Sequence, residues 1–170
     1  YCAKIKYTHN IENYEVGEQT INYSVEVGGT ERGTFYNKVN LLHKDVFAIS
    51  KMFPADKREH WNIELLSANH TIPPHTDSGI KTAINLYLEG DICDTVFYEL
   101  ATETPNSYKL ETQTNGSIFE DEEDLKEVKR FTALPGEIWL IDVSVPHAVV
   151  HRNKKFSKEI INRKAIQLHT

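Results

Sequence analysis

The sequence predicts a mainly β protein with a few helices, and three observations support that fold class. Short β-branched or alternating runs recur along the 170-residue chain. Gly, Pro, Asn and Asp separate these runs, which is typical of antiparallel sheets. Only one stretch has clear helical periodicity. We therefore expect a sandwich or barrel with an N-terminal helical layer, because sheets and amphipathic helices must each bury one face.

Nine segments carry the strand pattern, and each is short and rich in β-branched or aromatic residues. They are residues 4–8, 20–27, 62–67, 82–88, 95–99, 107–113, 137–143, 147–151 and 164–169. Turn-forming residues lie between them, so the pattern indicates an antiparallel arrangement.

One helix is predicted from apolar residues that recur at steps of three and four, namely Val39, Leu42, Val46, Ile49 and Phe53. Pro54 ends this helix, whose apolar stripe is expected to pack on one face of a sheet. A second helix is one interpretation of residues 121–130, where acids lead and bases follow, an order that suits the helix dipole. Its apolar face is thin, so an exposed turn or mobile acidic loop is an equal interpretation.

Composition narrows the class of protein. The chain has 25 acidic residues against 19 Lys and Arg, a net charge of -6, so nucleic acid is not expected as a partner. No apolar stretch approaches the roughly 18 residues that span a bilayer, and the opening residues lack the apolar core of a signal peptide. Cys2 and Cys93 are too few for a disulfide framework. We expect one domain over residues 1–170, in the cytoplasm and without a membrane partner.

His75 and Asp77 form the centre of a candidate metal site. They follow Pro73 and Pro74, and on an extended strand a spacing of two directs both side chains to one face. Thr76 points the other way, so its identity is not expected to matter for coordination. The chain has eight His, and a His-X-Asp pair alone is a weak indication.

His147 is the candidate third ligand. It follows Pro146 after the apolar run 138–141, where a strand is expected to open onto a cleft. Two His and one Asp on one face of an ion form the facial triad of non-haem Fe(II), which leaves three coordination positions open. The alternative is that these His are ordinary surface or core residues.

Arg163 supplies a permanent positive charge downstream of His147. A buried Arg needs an anionic partner because an unpaired charge is costly, and its planar fork suits one carboxylate of a dicarboxylate ligand. An exposed Arg on an edge strand is the alternative. Lys164 is expected on the opposite, solvated face of the same strand.

Together these motifs resemble the 2-oxoglutarate- and Fe(II)-dependent oxygenases, whose signature is His-X-Asp, a distant His and a basic residue one strand later. The resemblance covers residues 61–169 and includes WNIELLSANHTIPPHTD, DTVFYE, PGEIWLID, PHAVVHR and NRKAIQL. The PHAVV segment followed by Arg163 is similar to the prolyl hydroxylase-like and aspartyl/asparaginyl β-hydroxylase-like branches. The resemblance implies a double-stranded β-helix, the cupin-like jelly roll, over residues 61–169, with N-terminal strands and a helix in residues 1–60.

The resemblance also implies roles for individual residues. His75, Asp77 and His147 would bind Fe(II), and Arg163 would bind the distal carboxylate of 2-oxoglutarate. The implied reaction uses O2, converts 2-oxoglutarate into succinate and CO2, and hydroxylates a peptide side chain or a free amino acid.

Asn85 and Tyr87 are further candidates for cosubstrate binding. Period two places both on one face of their predicted strand, and either could hydrogen-bond a cosubstrate carboxylate. A buried Tyr with a satisfied hydroxyl is equally common. Gln167 shares the face of Arg163 and is expected to assist.

Other functions compete with this interpretation. A cupin-like metal-dependent small-molecule binding or isomerase domain would use the same β architecture with a different metal, although Asp77 and Arg163 favour the oxygenase. A nucleic-acid demethylase and a domain without catalysis are further alternatives. Residues 101–130 are expected to form a lid or substrate loop, and their acidity hints at a basic substrate.

Overall fold

The computed structural model describes residues 1–8, 11, 16–27, 30–41, 43–53, 62–77, 79–90, 92–109, 115–157 and 159–169. Strands dominate these residues, which confirms the mainly β class. The elements are β1 (Cys2–Thr8), β2 (Val16–Val27), β3 (Thr30–Leu41), α1 (His43–Ser50), β4 (Asn62–His70), β5 (Ile72–Asp77), β6 (Thr82–Glu89), β7 (Cys93–Leu100), β8 (Ser107–Lys109), β9 (Asn115–Phe119), a 3-10 helix (Glu122–Asp124), β10 (Leu125–Thr132), β11 (Glu137–Asp142), β12 (His147–His151) and β13 (Ile160–His169).

The strands form two antiparallel sheets. The seven-stranded sheet has the order β1-β11-β6-β13-β4-β3-β2, and the six-stranded sheet has the order β10-β7-β12-β5-β9-β8. From β4 to β7, and again from β10 to β13, successive strands alternate between the two sheets. Segments that are close in sequence therefore line the same inter-sheet space from opposite sides.

Apolar side chains on alternate positions fill both faces of the seven-stranded sheet. Tyr87 and Phe97 belong to a buried cluster between the sheets. Leu86 belongs to a second cluster on the opposite face of β6, as period two requires. In α1, Ile49 is buried in that second cluster and Val46 packs against it. The helix therefore contacts this sheet face through part of its predicted apolar stripe.

The predicted helical segments differ from the observed elements. The first helix begins at His43, because Val39 lies in β3, where it pairs with Leu65 of β4; Leu42 lies outside the described residues. For residues 121–130 the helix interpretation is wrong, and the alternative of an exposed turn fits only the 3-10 helix: from Leu125 the chain forms β10, which pairs with β7. Phe131 is buried at its end, so pairing and burial outweigh a favourable charge order.

The predicted loop at residues 101–130 is also wrong in part. Strands β8, β9 and β10 occupy much of it and belong to the six-stranded sheet. None of the nine predicted strands covers β3, β9 or β10. Among the described residues, the helices lack the length and apolar character that crossing a bilayer requires.

Candidate metal centre

Strand β5 and the start of β12 bring the three predicted ligands together. His75 and Asp77 share one face of β5, and His147 opens the adjacent strand β12 directly opposite His75. The two imidazole centroids are 4.3 Å apart, and His75 Nε2 lies 3.6 Å from Asp77 Oδ1. One ligand atom from each residue lies within 4.8 Å of the others. The three side chains could therefore hold one metal ion between them.

Backbone carbonyls determine which imidazole nitrogen can face an ion. His75 Nδ1 lies 2.7 Å from the Pro73 carbonyl oxygen, and His147 Nδ1 lies 2.9 Å from the Val145 carbonyl oxygen. A carbonyl oxygen can only accept, so each Nδ1 carries the proton and donates. The lone pair of each neutral ring is therefore on Nε2, the arrangement found in metal-bound His with a backbone partner.

The ligand cluster opens into a cavity between the sheets. The cavity has a volume of about 650 Å³ with its open mouth included. Ile80, Ile141 and Val143 form part of its apolar wall. Beyond the three ligands, its polar lining consists of Asn85, Thr95, Arg163 and Gln167. The cavity thus brings the predicted metal ligands and further polar groups into one space.

Arg163 lies in this cavity as a buried cation. Its side chain is 5% exposed, and its Nη2 donates to the Tyr87 hydroxyl at 2.6 Å and to Thr95 Oγ1 at 2.7 Å. No carboxylate of the described residues lies within 4.0 Å of its guanidinium nitrogens. Neutral hydroxyls orient the group but leave its charge uncompensated, so the cavity favours an anion. The predicted exposure of Lys164 on the other face agrees with its ion pair to Glu89 at the surface.

Asn85, Tyr87 and Gln167 form a hydrogen-bonded row beside Arg163. Gln167 Nε2 donates to Asn85 Oδ1 at 3.2 Å, and Asn85 Nδ2 donates to the Tyr87 hydroxyl at 3.2 Å. Asn85 and Gln167 line the cavity. The guanidinium lies 4.8 Å from the Tyr87 ring. Tyr87 therefore supports Arg163, while the two amides face the cavity beside it.

Sequence reasoning missed Thr95. It lies on β7, two residues before Phe97, so both side chains point between the sheets. Thr95 is 2% exposed. A hydroxyl at an inward position needs a partner, and that need was the available signal.

The acidic 3-10 helix (Glu122–Asp124) does not line the cavity beside the predicted ligands. Glu122 lies with Pro74 and Tyr98 around a separate space on the outer face of the six-stranded sheet. Pro74 and Tyr98 are the strand neighbours of His75 and Phe97, so they point away from the cavity. Burial raises the pKa of Tyr98 to about 12. The hint of a basic substrate from this acidity thus has no geometric support.

Gly116 allows β9 to lie close to the ligand-bearing strand. A Cβ atom at this position would overlap the carbonyl oxygen of Thr76, the residue between His75 and Asp77. Thr76 Oγ1 also accepts the Ser117 backbone N–H at 3.1 Å. We predict that Gly116→Ala displaces β5, costs about 2 kcal/mol of stability and weakens metal binding about tenfold.

Titration calorimetry with Co(II) and urea unfolding would measure the two effects of Gly116→Ala. Gly79→Asn is the control, because nothing lies within 4 Å of a Cβ there and Asn tolerates its positive φ. Unchanged affinity in Gly116→Ala would contradict the prediction.

Asp94, near the start of β7, connects this strand to neighbouring segments through hydrogen bonds. Its carboxylate, 2% exposed as a side chain, accepts hydrogen bonds from Thr132 Oγ1 at 2.5 Å, Arg130 at 2.9 Å and the Asn153 backbone N–H at 2.9 Å. Burial alone would raise the pKa of Asp94, but these three donors outweigh it and hold the pKa below its ordinary value.

Asp94 should therefore make stability depend on acid pH. Its folded-state pKa is below the unfolded value of about 3.9, so its contribution is complete above about pH 5 and is lost as pH falls through the folded value. We predict that Asp94→Asn costs about 2 kcal/mol at pH 7 and flattens this dependence. Urea unfolding at pH 7, 5 and 3 measures the free energy of unfolding, with the exposed Glu103→Gln as control. An equal dependence of this free energy on pH in wild type and Asp94→Asn would contradict the prediction.

Comparison with known proteins adds no assignment. No protein-family model matches the chain. No curated protein is similar to it. The functional argument therefore rests on the residues and on their placement around the cavity.

Proposed function

We propose that this protein is an Fe(II)- and 2-oxoglutarate-dependent dioxygenase that hydroxylates a peptide side chain or a free amino acid and releases succinate and CO2. The observation that carries the proposal is the joint presence of His75, Asp77, His147 and the buried Arg163 in one cavity. A ligand that approaches both features needs a metal-chelating end and an anionic end. 2-Oxoglutarate has both.

The strand order supports a double-stranded β-helix as the finer description of the fold. Two rows of four strands, β11-β6-β13-β4 and β10-β7-β12-β5, face each other, and the chain crosses between them repeatedly. This matches the eight-stranded, two-sheet arrangement of jelly rolls and cupins. In this proposal β1–β3 and α1 are the N-terminal addition to that core.

The donor set fits Fe(II). Two imidazole nitrogens and one carboxylate are the ligands of the facial triad, which keeps three positions open. His75, Asp77 and His147 would hold the ion and leave room beside it for the keto acid end of the cosubstrate. Bound iron would supply the oxygen activation that the side chains of this chain cannot provide.

The remaining cavity residues bind and orient the cosubstrate in this proposal. The Arg163 fork binds the distal carboxylate with charge-assisted hydrogen bonds, and Tyr87 and Thr95 hold the fork in place through their hydroxyls. Asn85 and Gln167 offer amide groups at the side of the same carboxylate. Ile80, Ile141 and Val143 exclude water near the ligand cluster, which protects a reactive centre from side reactions.

Cosubstrate turnover without a primary substrate tests the proposal. The protein is loaded anaerobically with Fe(II) and 2-oxoglutarate and then exposed to O2, and succinate is measured. We expect slow succinate formation that needs both Fe(II) and O2, and 2-oxoglutarate binding that is much weaker without metal. Absence of both metal binding and 2-oxoglutarate binding would exclude the proposal.

The same experiment separates the alternative function. Metal binding without measurable 2-oxoglutarate binding would favour the cupin-like small-molecule binding or isomerase domain. The buried charge of Arg163 argues for the oxygenase, because it creates a need for an anion in the cavity.

A further inference from the structure

The segment of residues 143–146 joins β11 to β12 and contacts two of the three candidate ligands through its backbone. The Val143 carbonyl accepts a hydrogen bond from the Asp77 backbone N–H at 2.9 Å. The Val145 carbonyl accepts the His147 Nδ1 hydrogen bond at 2.9 Å. One short segment therefore holds a ligand residue on β5 and another on β12.

Asp142 folds this segment. Its Oδ1 accepts hydrogen bonds from the Ser144 backbone N–H at 3.1 Å and from Ser144 Oγ at 2.6 Å, which closes an Asx turn. The backbone N–H groups of Asp142 and Val143 donate to the carbonyls of Tyr1 at 2.8 Å and Lys81 at 3.0 Å. Backbone hydrogen bonds thus anchor the start of the segment. The Asp142 side chain then holds Ser144 in the turn.

We propose that Asp142 is a positioning residue for the metal centre, because its turn with Ser144 aims the carbonyls that hold Asp77 and His147. The inference rests on the proposed function of this site. Asp142 is not one of the clustered ligand residues, so it acts through the Val143 and Val145 carbonyls. Removal of such outer partners commonly weakens metal binding by about 10–100-fold.

The pair Asp142→Ala and Asp142→Asn tests the inference. The Ala variant loses the turn, whereas the Asn variant keeps an oxygen that can accept from Ser144. We expect Co(II) affinity, measured by titration calorimetry, to fall about tenfold in Asp142→Ala and to stay within about twofold of wild type in Asp142→Asn. The Co(II) absorption spectrum should change in the Ala variant and be restored in the Asn variant.

This pair also distinguishes positioning from simple charge attraction. A nearby carboxylate attracts a cation whatever its hydrogen bonds, and in that case Asn would weaken binding as much as Ala. That result would overturn the inference, as would wild-type affinity in Asp142→Ala. Glu103→Ala removes an exposed carboxylate and should leave the affinity unchanged.

A readout on the metal-free protein separates the inference from the proposed function. The His147 Nδ1 proton, bonded to Val145, should give a slowly exchanging downfield NMR signal in wild type and Asp142→Asn and be lost in Asp142→Ala. A protein that binds no Fe(II) or Co(II) would refute the proposed function, yet this signal would still decide whether Asp142 positions His147. If Asp142→Ala does not fold, Ser144→Ala replaces it as the test, because this variant loses only the 2.6 Å hydroxyl hydrogen bond. We expect a smaller loss of Co(II) affinity and of the NMR signal in Ser144→Ala. An unchanged signal and affinity in that variant would overturn the inference.

Discussion

Loss of metal binding and of succinate formation is the expected result of His147→Ala. His147 supplies the ligand from β12, so its removal leaves His75 and Asp77 on a single strand. Two protein ligands hold a divalent ion weakly, and we expect Fe(II) affinity to fall at least about 100-fold, beyond the effect of losing an outer partner. Anaerobic titration calorimetry measures the affinity, and succinate measures turnover.

His151→Ala is the matched control for this substitution. His151 lies on the same strand, four residues beyond His147, and at the rise of a strand that spacing is about 13 Å. It is thus too far away to share an ion, and its replacement should leave Fe(II) affinity unchanged. Equal losses in both variants would point to damage to β12 and contradict the assignment of His147.

A large and selective loss of 2-oxoglutarate binding is the expected result of Arg163→Met. The variant removes the buried cation but keeps a long apolar side chain beside Tyr87. The charge-assisted hydrogen bonds to a carboxylate account for about 3 kcal/mol, so the KM for 2-oxoglutarate should rise on the order of 100-fold. Fe(II) affinity should be unaffected, because Arg163 is not one of the clustered ligand residues.

Three comparisons make this prediction specific. Lys164→Met removes a cation from the opposite, half-exposed face of β13 and should leave the KM unchanged. A 2-oxo acid without a distal carboxylate should bind wild type poorly, and Arg163→Met should lose that discrimination. Arg163→Lys should recover part of the affinity, since an ammonium keeps the charge without the fork. An unaltered KM in Arg163→Met would contradict the proposed role.

The placement of His75, Asp77 and Asn85 was predictable because strand geometry is local. A period of two determines which side chains share a face, whatever the surrounding fold. His75 and Asp77 therefore share a face of β5, and Asn85 lines the cavity as period two indicated. That His147 lies opposite His75 could not be predicted in this way, since register between distant strands is not a local property.

Residues that act through long-range contacts could not be predicted. Thr95 is important because β7 places it beside Arg163 of the other sheet. Its inward position indicates that its hydroxyl needs a partner, but the sequence does not indicate which residue that partner is. Every residue has a backbone carbonyl, so no residue type indicates that those of Val143 and Val145 accept hydrogen bonds from Asp77 and His147. The acidic run before β10 misled the helix prediction, because pairing with β7 supplies backbone hydrogen bonds that a local charge order cannot reveal.

The sequence by itself determined the mainly β class, the shared face of His75 and Asp77, and the types of residue available to bind a metal and an anion. These properties depend on period, turn residues and side-chain chemistry, all of which are local. Only the tertiary structure decided that His147 lies opposite His75, that Arg163 has hydroxyl partners and no carboxylate among the described residues, and that Asp142 accepts two hydrogen bonds from Ser144. Such arrangements arise from sheet register and burial, which bring together residues far apart in the chain.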